Sequence, residues 1–154
     1  ALDHFREALR LDPTYGEAHY NMGSLSRSGG RLSEAVDHLR QAVRFKPDLA
    51  PAVASLAWLL ATSADRAILN PTEALALAER AVTLTGRGDA GMLDILAAAY
   101  ASASQFERAI AISEAALTLK PDAGLAAAIR ERAEQYRQRR PYRSPSESSR
   151  TMRP

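Results

Sequence analysis

Three histidines, two glycine turns and an arginine-rich end are the places where this chain could hold chemistry. His4, His19 and His38 could move protons or bind a metal. No two of them stand four residues apart, and the chain has no cysteine. A tetrahedral zinc site therefore lacks its ligands, and disulfide or thiol chemistry is excluded. Gly29-Gly30 and Gly86-Arg87-Gly88 could cradle a phosphate. Neither is followed by Lys-Ser/Thr or preceded by a strand pattern, as a phosphate loop requires. The carboxylates are scattered, so no nucleophile can be matched to a base. No catalytic residue, cofactor or metal site is expected. Arg130, Arg132, Arg137, Arg139, Arg140 and Arg143 could neutralise phosphates of nucleic acid or of an anionic surface. No base-reading motif accompanies them. A charged, solvated helix cap accounts for them more simply, and nucleic acid is not the expected partner.

The elements that carry these residues are repeats. Phe5–Pro13, Leu39–Pro47, Leu77–Thr85 and Ser113–Pro121 read almost alike. Ala8 to Ala42 spans 34 residues, Ala42 to Ala81 spans 39, and Ala81 to Ala116 spans 35. A period near 34 is that of a stacked helix–turn–helix unit. Ala35, Ala74 and Ala109 each precede Ala42, Ala81 and Ala116 by seven residues, two turns along one helix face. In the other half of each unit a small residue follows a large apolar one: Met22-Gly23, Leu56-Ala57, Leu96-Ala97. Small side chains at such fixed sites let a neighbouring helix approach. Helices are expected near 1–11, 16–28, 32–45, 50–63, 71–84, 90–103, 106–119 and 122–138. Asn70-Pro71-Thr72-Glu73 marks a helix start, with Asn as cap and Pro in the first helical position.

The pattern Leu93, Leu96, Ala97, Tyr100, Phe106, Ala109, Ala116, Pro121 resembles the tetratricopeptide repeat family. So does the looser His19, Met22, Gly23, Ser26, Ala35, Leu39, Ala42, Pro47, in which His19 and Ser26 depart from the usual aromatics. The resemblance covers residues 1 to about 121. It implies an all-α solenoid of helix–turn–helix repeats, an α-α superhelix that scaffolds other proteins. A half repeat occupies 1–13, and full repeats occupy about 16–47, 50–86 and 90–121. Leu125, Ile129, Ala133 and Tyr136 make the inward stripe of a capping helix over 122–139. Residues 140–154, rich in Ser, Pro and Arg, are expected to be a disordered tail.

The opening half repeat lacks its first helix, so the chain is expected to be the carboxy-terminal part of a longer protein. Its exposed face could also pair copies of the chain. Arginine outnumbers lysine 18 to 2 and alanine is abundant, which points to a GC-rich bacterial genome. Residues 1–129 carry net charge −3 and residues 130–154 carry +5. No apolar run approaches the 18 residues that a membrane span needs.

In this family the first helices line the concave side. The residues one step around from the core are then the candidate groove: Glu17, Tyr20, Asn21, Ser24, Ser55, Trp58, Thr62, Asp94, Ile95 and Ala98. Most are small or polar, as an open groove requires. Tyr20, Trp58 and Ile95 are the large apolar exceptions that an interface anchor needs. Trp58, the only tryptophan, is the leading anchor for a peptide or helix, unless the long loop 63–70 or a neighbouring helix shields it. The clamp some members use for a terminal carboxylate is rejected, because Pro51, Ser55 and Trp58 offer no cation beside Asn21. The Asn ladder of other members is absent as well. The middle unit, with its long loop and Asn-Pro-x-Glu-Ala, resembles repeats of multidomain bacterial proteins. It leaves open an accessory role in a larger enzyme such as a glycosyltransferase.

Overall fold

The computed structural model describes residues 1–145. Eight helices follow one another, and no strand occurs among the described residues: α1 (Leu2–Leu11), α2 (Gly16–Ser28), α3 (Leu32–Phe45), α4 (Ala50–Thr62), α5 (Pro71–Thr85), α6 (Ala90–Ser102), α7 (Phe106–Thr118) and α8 (Ala123–Arg137). Their ends lie within about two residues of those the sequence suggests. The pairs α2–α3, α4–α5 and α6–α7 form hairpins. Each hairpin packs on the next, and α8 closes the stack against α6 and α7.

Alanine explains the tightness of the stack. Ala35, Ala42, Ala74, Ala81, Ala109 and Ala116 are all fully buried, as are Ala57 and Ala97 in the first helices. Gly23 carries the same trend a step further. A Cβ there would stand 2.9 Å from Leu39 Cγ and 3.2 Å from the Ala35 carbonyl oxygen, so α2 and α3 touch where α2 has no side chain. Between the alanines, Val53, Leu56, Leu60 and Leu93 fill one continuous core that runs from Ala35 to Ile129. Polar ties join successive units: Arg40 pairs with Glu73, Arg80 donates to the Pro47 carbonyl, and the Tyr100 hydroxyl donates to Glu79.

The turn inside each outer hairpin is built alike. Gly30 (φ 76°) and Ser104 (φ 61°) take the left-handed conformation just past α2 and α6. In both, the next residue's N–H reaches five residues back, Arg31 to Ser26 and Gln105 to Tyr100, at 2.8 Å. This closes the helix end as a Schellman motif does. The middle unit instead absorbs its extra residues in the loop 63–70. Ile68 plugs that loop into the core, and Asn70 N–H donates to the Leu60 carbonyl at 2.9 Å. Asn70 then caps α5, accepting the Glu73 N–H at 3.1 Å and donating back to its carboxylate. Asn70→Ala removes both bonds and is expected to destabilise the chain by about 1 kcal/mol, read by urea unfolding.

At the amino-terminal end, α1 has no fully buried residue, and Leu11 is 70% exposed. At the other end, α8 turns Ile129, Ala133 and Tyr136 inward. Residues 141–145 correct the expectation of a disordered tail from 140 onward. They double back against α4, with Pro141, Tyr142, Arg143 and Ser144 half-buried. The rest of the expected tail, 146–154, lies outside the described residues.

Candidate functional site

The first helices α2, α4 and α6 present a shallow trough of about 390 Å³. Tyr20, Ser55, Trp58 and Ile95 meet there, together with Pro51, Ala54 and Met92. Of the ten candidate groove residues, seven are only half-buried: Glu17, Tyr20, Asn21, Ser24, Ser55, Trp58 and Ile95. Glu17 is taken up by an ion pair with Lys46 at the end of α3. Asn21 and Ser24 are accessible but do not line this trough.

Three candidates are corrected. Thr62, Asp94 and Ala98 are 1%, 4% and 2% exposed and are not open groove surface. Ala98 is buried within the packed α6. Thr62 turns its hydroxyl to the Trp58 carbonyl at 2.7 Å and lies beneath Ser144. Asp94 borders the trough but is covered by Arg132 of α8, which grips its carboxylate in a two-point ion pair. Burial raises the Asp94 carboxyl above the usual carboxylate range, and Arg132 pulls it partway back.

Arg132 is also the residue that the sequence misplaces. It is not a solvated cap charge, because its side chain is only 13% exposed. Its guanidinium lies 5.3 Å from the ring centroids of both Trp58 and Tyr142, and those two rings are 5.7 Å apart. Attraction between a cation and ring faces binds the three together. Arg132 of α8 and Tyr142 of the segment after it thus shield Trp58. The other arginines offered for phosphate are largely occupied. Arg137 faces Glu114 and Glu134, Arg139 faces Glu107, and Arg143 donates to the Ala61 carbonyl. A second cleft, about 880 Å³, runs beside this cluster between the α2–α3 turn and the loop 63–70. Ser144 and Pro145 form part of its wall.

Two of the three histidines touch in the structure. His19 Nδ1 and His38 Nδ1 are 3.2 Å apart, and His19 Nε2 is 3.0 Å from the Pro13 carbonyl. A carbonyl can only accept, so His19 Nε2 carries a proton toward Pro13, and one proton is shared between the two Nδ1 atoms. Burial first and His19 second push His38 below the ordinary histidine value of 6.5. The neutral form is therefore favoured in the fold. Its stabilisation is complete above 6.5, the unfolded value, and is lost as pH falls toward the depressed folded value. Urea midpoints are expected to fall as pH drops below about 6.5, and His38→Gln is expected to flatten that part of the profile. Among the described residues, no group of three His, Cys, Asp or Glu is placed to hold a metal. No described helix is long and apolar enough to cross a membrane.

Known proteins sharpen this picture. A family model described as Tetratricopeptide repeat matches residues 1–59. No curated protein matches the chain. Among solved structures, one crystal structure of MamA is 20% identical, with TM-score 0.66, covering 90% of this chain and 85% of that one. A second MamA crystal structure is 23% identical, with TM-score 0.66, covering 90% and 78%. The crystal structure of PilW, a widely conserved type IV pilus biogenesis factor, is 21% identical, with TM-score 0.67, covering 88% and 64%. At such identities the likeness is one of fold. Residues 1–59 are thus similar to the tetratricopeptide repeat family, and the helical hairpin of that segment is carried on through α7.

Proposed function

We propose that the chain is a protein-interaction scaffold whose concave trough holds a peptide or helix of a partner. The observation that carries this reading is the cluster of Tyr20, Met92 and Ile95 on the trough floor. All three are large apolar side chains left half-buried on a face where three first helices converge. Apolar anchors in a shallow groove, flanked by small polar residues such as Ser55, are how a folded surface gains affinity for a polypeptide. The repeat architecture supports it, since a stacked solenoid presents an extended concave surface for this purpose.

Peptides selected from a display library on the intact chain give the test. Tyr20→Ala and Ile95→Ala are each expected to weaken the selected peptides by about 2 kcal/mol, or roughly 30-fold. Ala76→Ser, on the exposed side of α5, is expected to leave them unchanged. Selected peptides indifferent to both trough substitutions would place binding elsewhere on the molecule.

A further inference from the structure

We propose that the Trp58 end of the trough is a peptide subsite already filled by the chain's own Pro141–Pro145. That segment stands in for an extended partner segment carrying an aromatic, a basic and a hydroxyl residue in that order. This deepens the trough reading and rests on it.

The reversal that brings the segment there is built into the backbone. Arg139 takes the left-handed conformation (φ 57°) just past α8. Arg139 N–H donates to the Tyr136 carbonyl and Arg140 N–H to the Gln135 carbonyl, both at 2.9 Å. This Schellman closure ends the helix and turns the chain back toward α4.

What the segment meets is the carboxy-terminal end of α4, whose last carbonyls have no partners within their own helix. No basic residue lies in the last turn of α4. Arg143 Nη1 donates to the Ala61 carbonyl at 3.0 Å, and Ser144 N–H donates to the Thr62 carbonyl at 2.8 Å. Ser144 Oγ lies 3.1 Å from Thr62 Oγ1. A cation and a backbone N–H are what the negative end of a helix dipole attracts. Upstream, Tyr142 rests against Trp58 and Arg132, and Asp94 fixes the guanidinium. The subsite therefore reads three things in a row: a flat ring, a positive charge, and an N–H with a neighbouring hydroxyl. None of these contacts needs the segment to be covalently attached. Pro145 is exposed, and with Ser144 it lines the second cleft.

Trp58, the only tryptophan, reports occupancy directly. Two variants open the site: a chain ending at Arg140, and full-length Tyr142→Ala. Both are expected to raise acrylamide quenching of Trp58 at least about twofold while far-UV circular dichroism stays helical. Tyr142→Ala carries the test should the shortened chain unfold. A synthetic peptide of residues 139–145 is then titrated against the opened and intact chains. Tethering through a short linker gives an effective concentration near the millimolar range. The peptide is therefore expected to bind the opened chain at least about tenfold more tightly than the intact one. The same peptide with Tyr142→Ala is expected not to bind.

Unchanged quenching, equal affinity for both chains, or binding to neither would overturn the proposal. Its failure is separable from that of the wider reading. Display peptides that still depend on Tyr20 and Ile95 keep the trough while the subsite falls. A 139–145 peptide that binds the opened chain, with no peptide depending on Tyr20 or Ile95, keeps the subsite while the wider reading falls.

Discussion

Arg132→Ala is expected to destabilise the chain by about 3–5 kcal/mol, the cost of leaving a buried carboxylate without its partner. Asp94 keeps 6% of its side chain exposed, so water cannot take over the role of the guanidinium. The same change removes the cation that packs against both Trp58 and Tyr142. The urea midpoint should fall sharply, and Trp58 emission should shift to the red in the native baseline. The pH dependence carries a further signature. Burial already raises the Asp94 carboxyl, and loss of Arg132, which lowers it, raises it further. A carboxyl whose folded value exceeds its unfolded one costs most when ionised. The deficit is therefore full at pH above the raised value and shrinks as pH falls through it. A double replacement, Asp94→Leu with Arg132→Met, removes both charges and is expected to recover most of the loss, because a buried pair and a well-packed apolar pair are nearly equivalent. A single replacement no more costly than an ordinary surface change would mean that the pair is not desolvated as the geometry has it.

Tyr136→Ala is expected to cost about 3–5 kcal/mol, as for other large aromatic truncations in a core. Tyr136 is fully buried and packs with Ala97, Ala101, Phe106 and Ala109, where α8 covers the last hairpin. A solenoid exposes the apolar face of its last repeat unless a cap covers it. The loss should therefore appear as early fraying of α6 to α8 in hydrogen exchange as well as in the global midpoint. Tyr136→Phe separates packing from polarity. The hydroxyl has no hydrogen-bond partner among the described residues, and burial holds the phenol protonated. Removing an unpaired buried hydroxyl relieves a desolvation cost, so Phe is expected to be neutral or to stabilise by about 1 kcal/mol. A large loss on Tyr136→Phe would show that the hydroxyl is paired after all.

Both positions lie on α8, and they differ in how far the sequence reveals them. Tyr136 falls on a stripe with Leu125, Ile129 and Ala133, and periodicity alone turns that stripe inward. Arg132 lies on the same helix, yet an arginine beside Arg130 and Glu131 reads as solvated charge. Nothing local says that it will reach Asp94, 38 residues earlier. The trough divides in the same way. Tyr20, Ser55 and Ile95 follow from helical register, because each lies one step around from a core position in a unit whose period is visible. Thr62, Asp94 and Ala98 share that register but are buried. Packing within the stack covers Ala98, while α8 and the segment after it cover the other two.

The sequence by itself determined the period, the helix limits, the alanine and glycine positions where helices touch, and the Asn70 cap. These depend on spacing within one helix or between equivalent sites of neighbouring units, and a regular repeat turns local spacing into architecture. Only the tertiary structure decided that His19 meets His38, that Arg132 pairs with Asp94, and that residues 141–145 return to α4. A Ser-, Pro- and Arg-rich stretch has too little apolar surface to order itself. Residues 141–145 are ordered because α4, 82 residues away along the chain, offers unpaired carbonyls and an aromatic face at the place where the Arg139 turn delivers them.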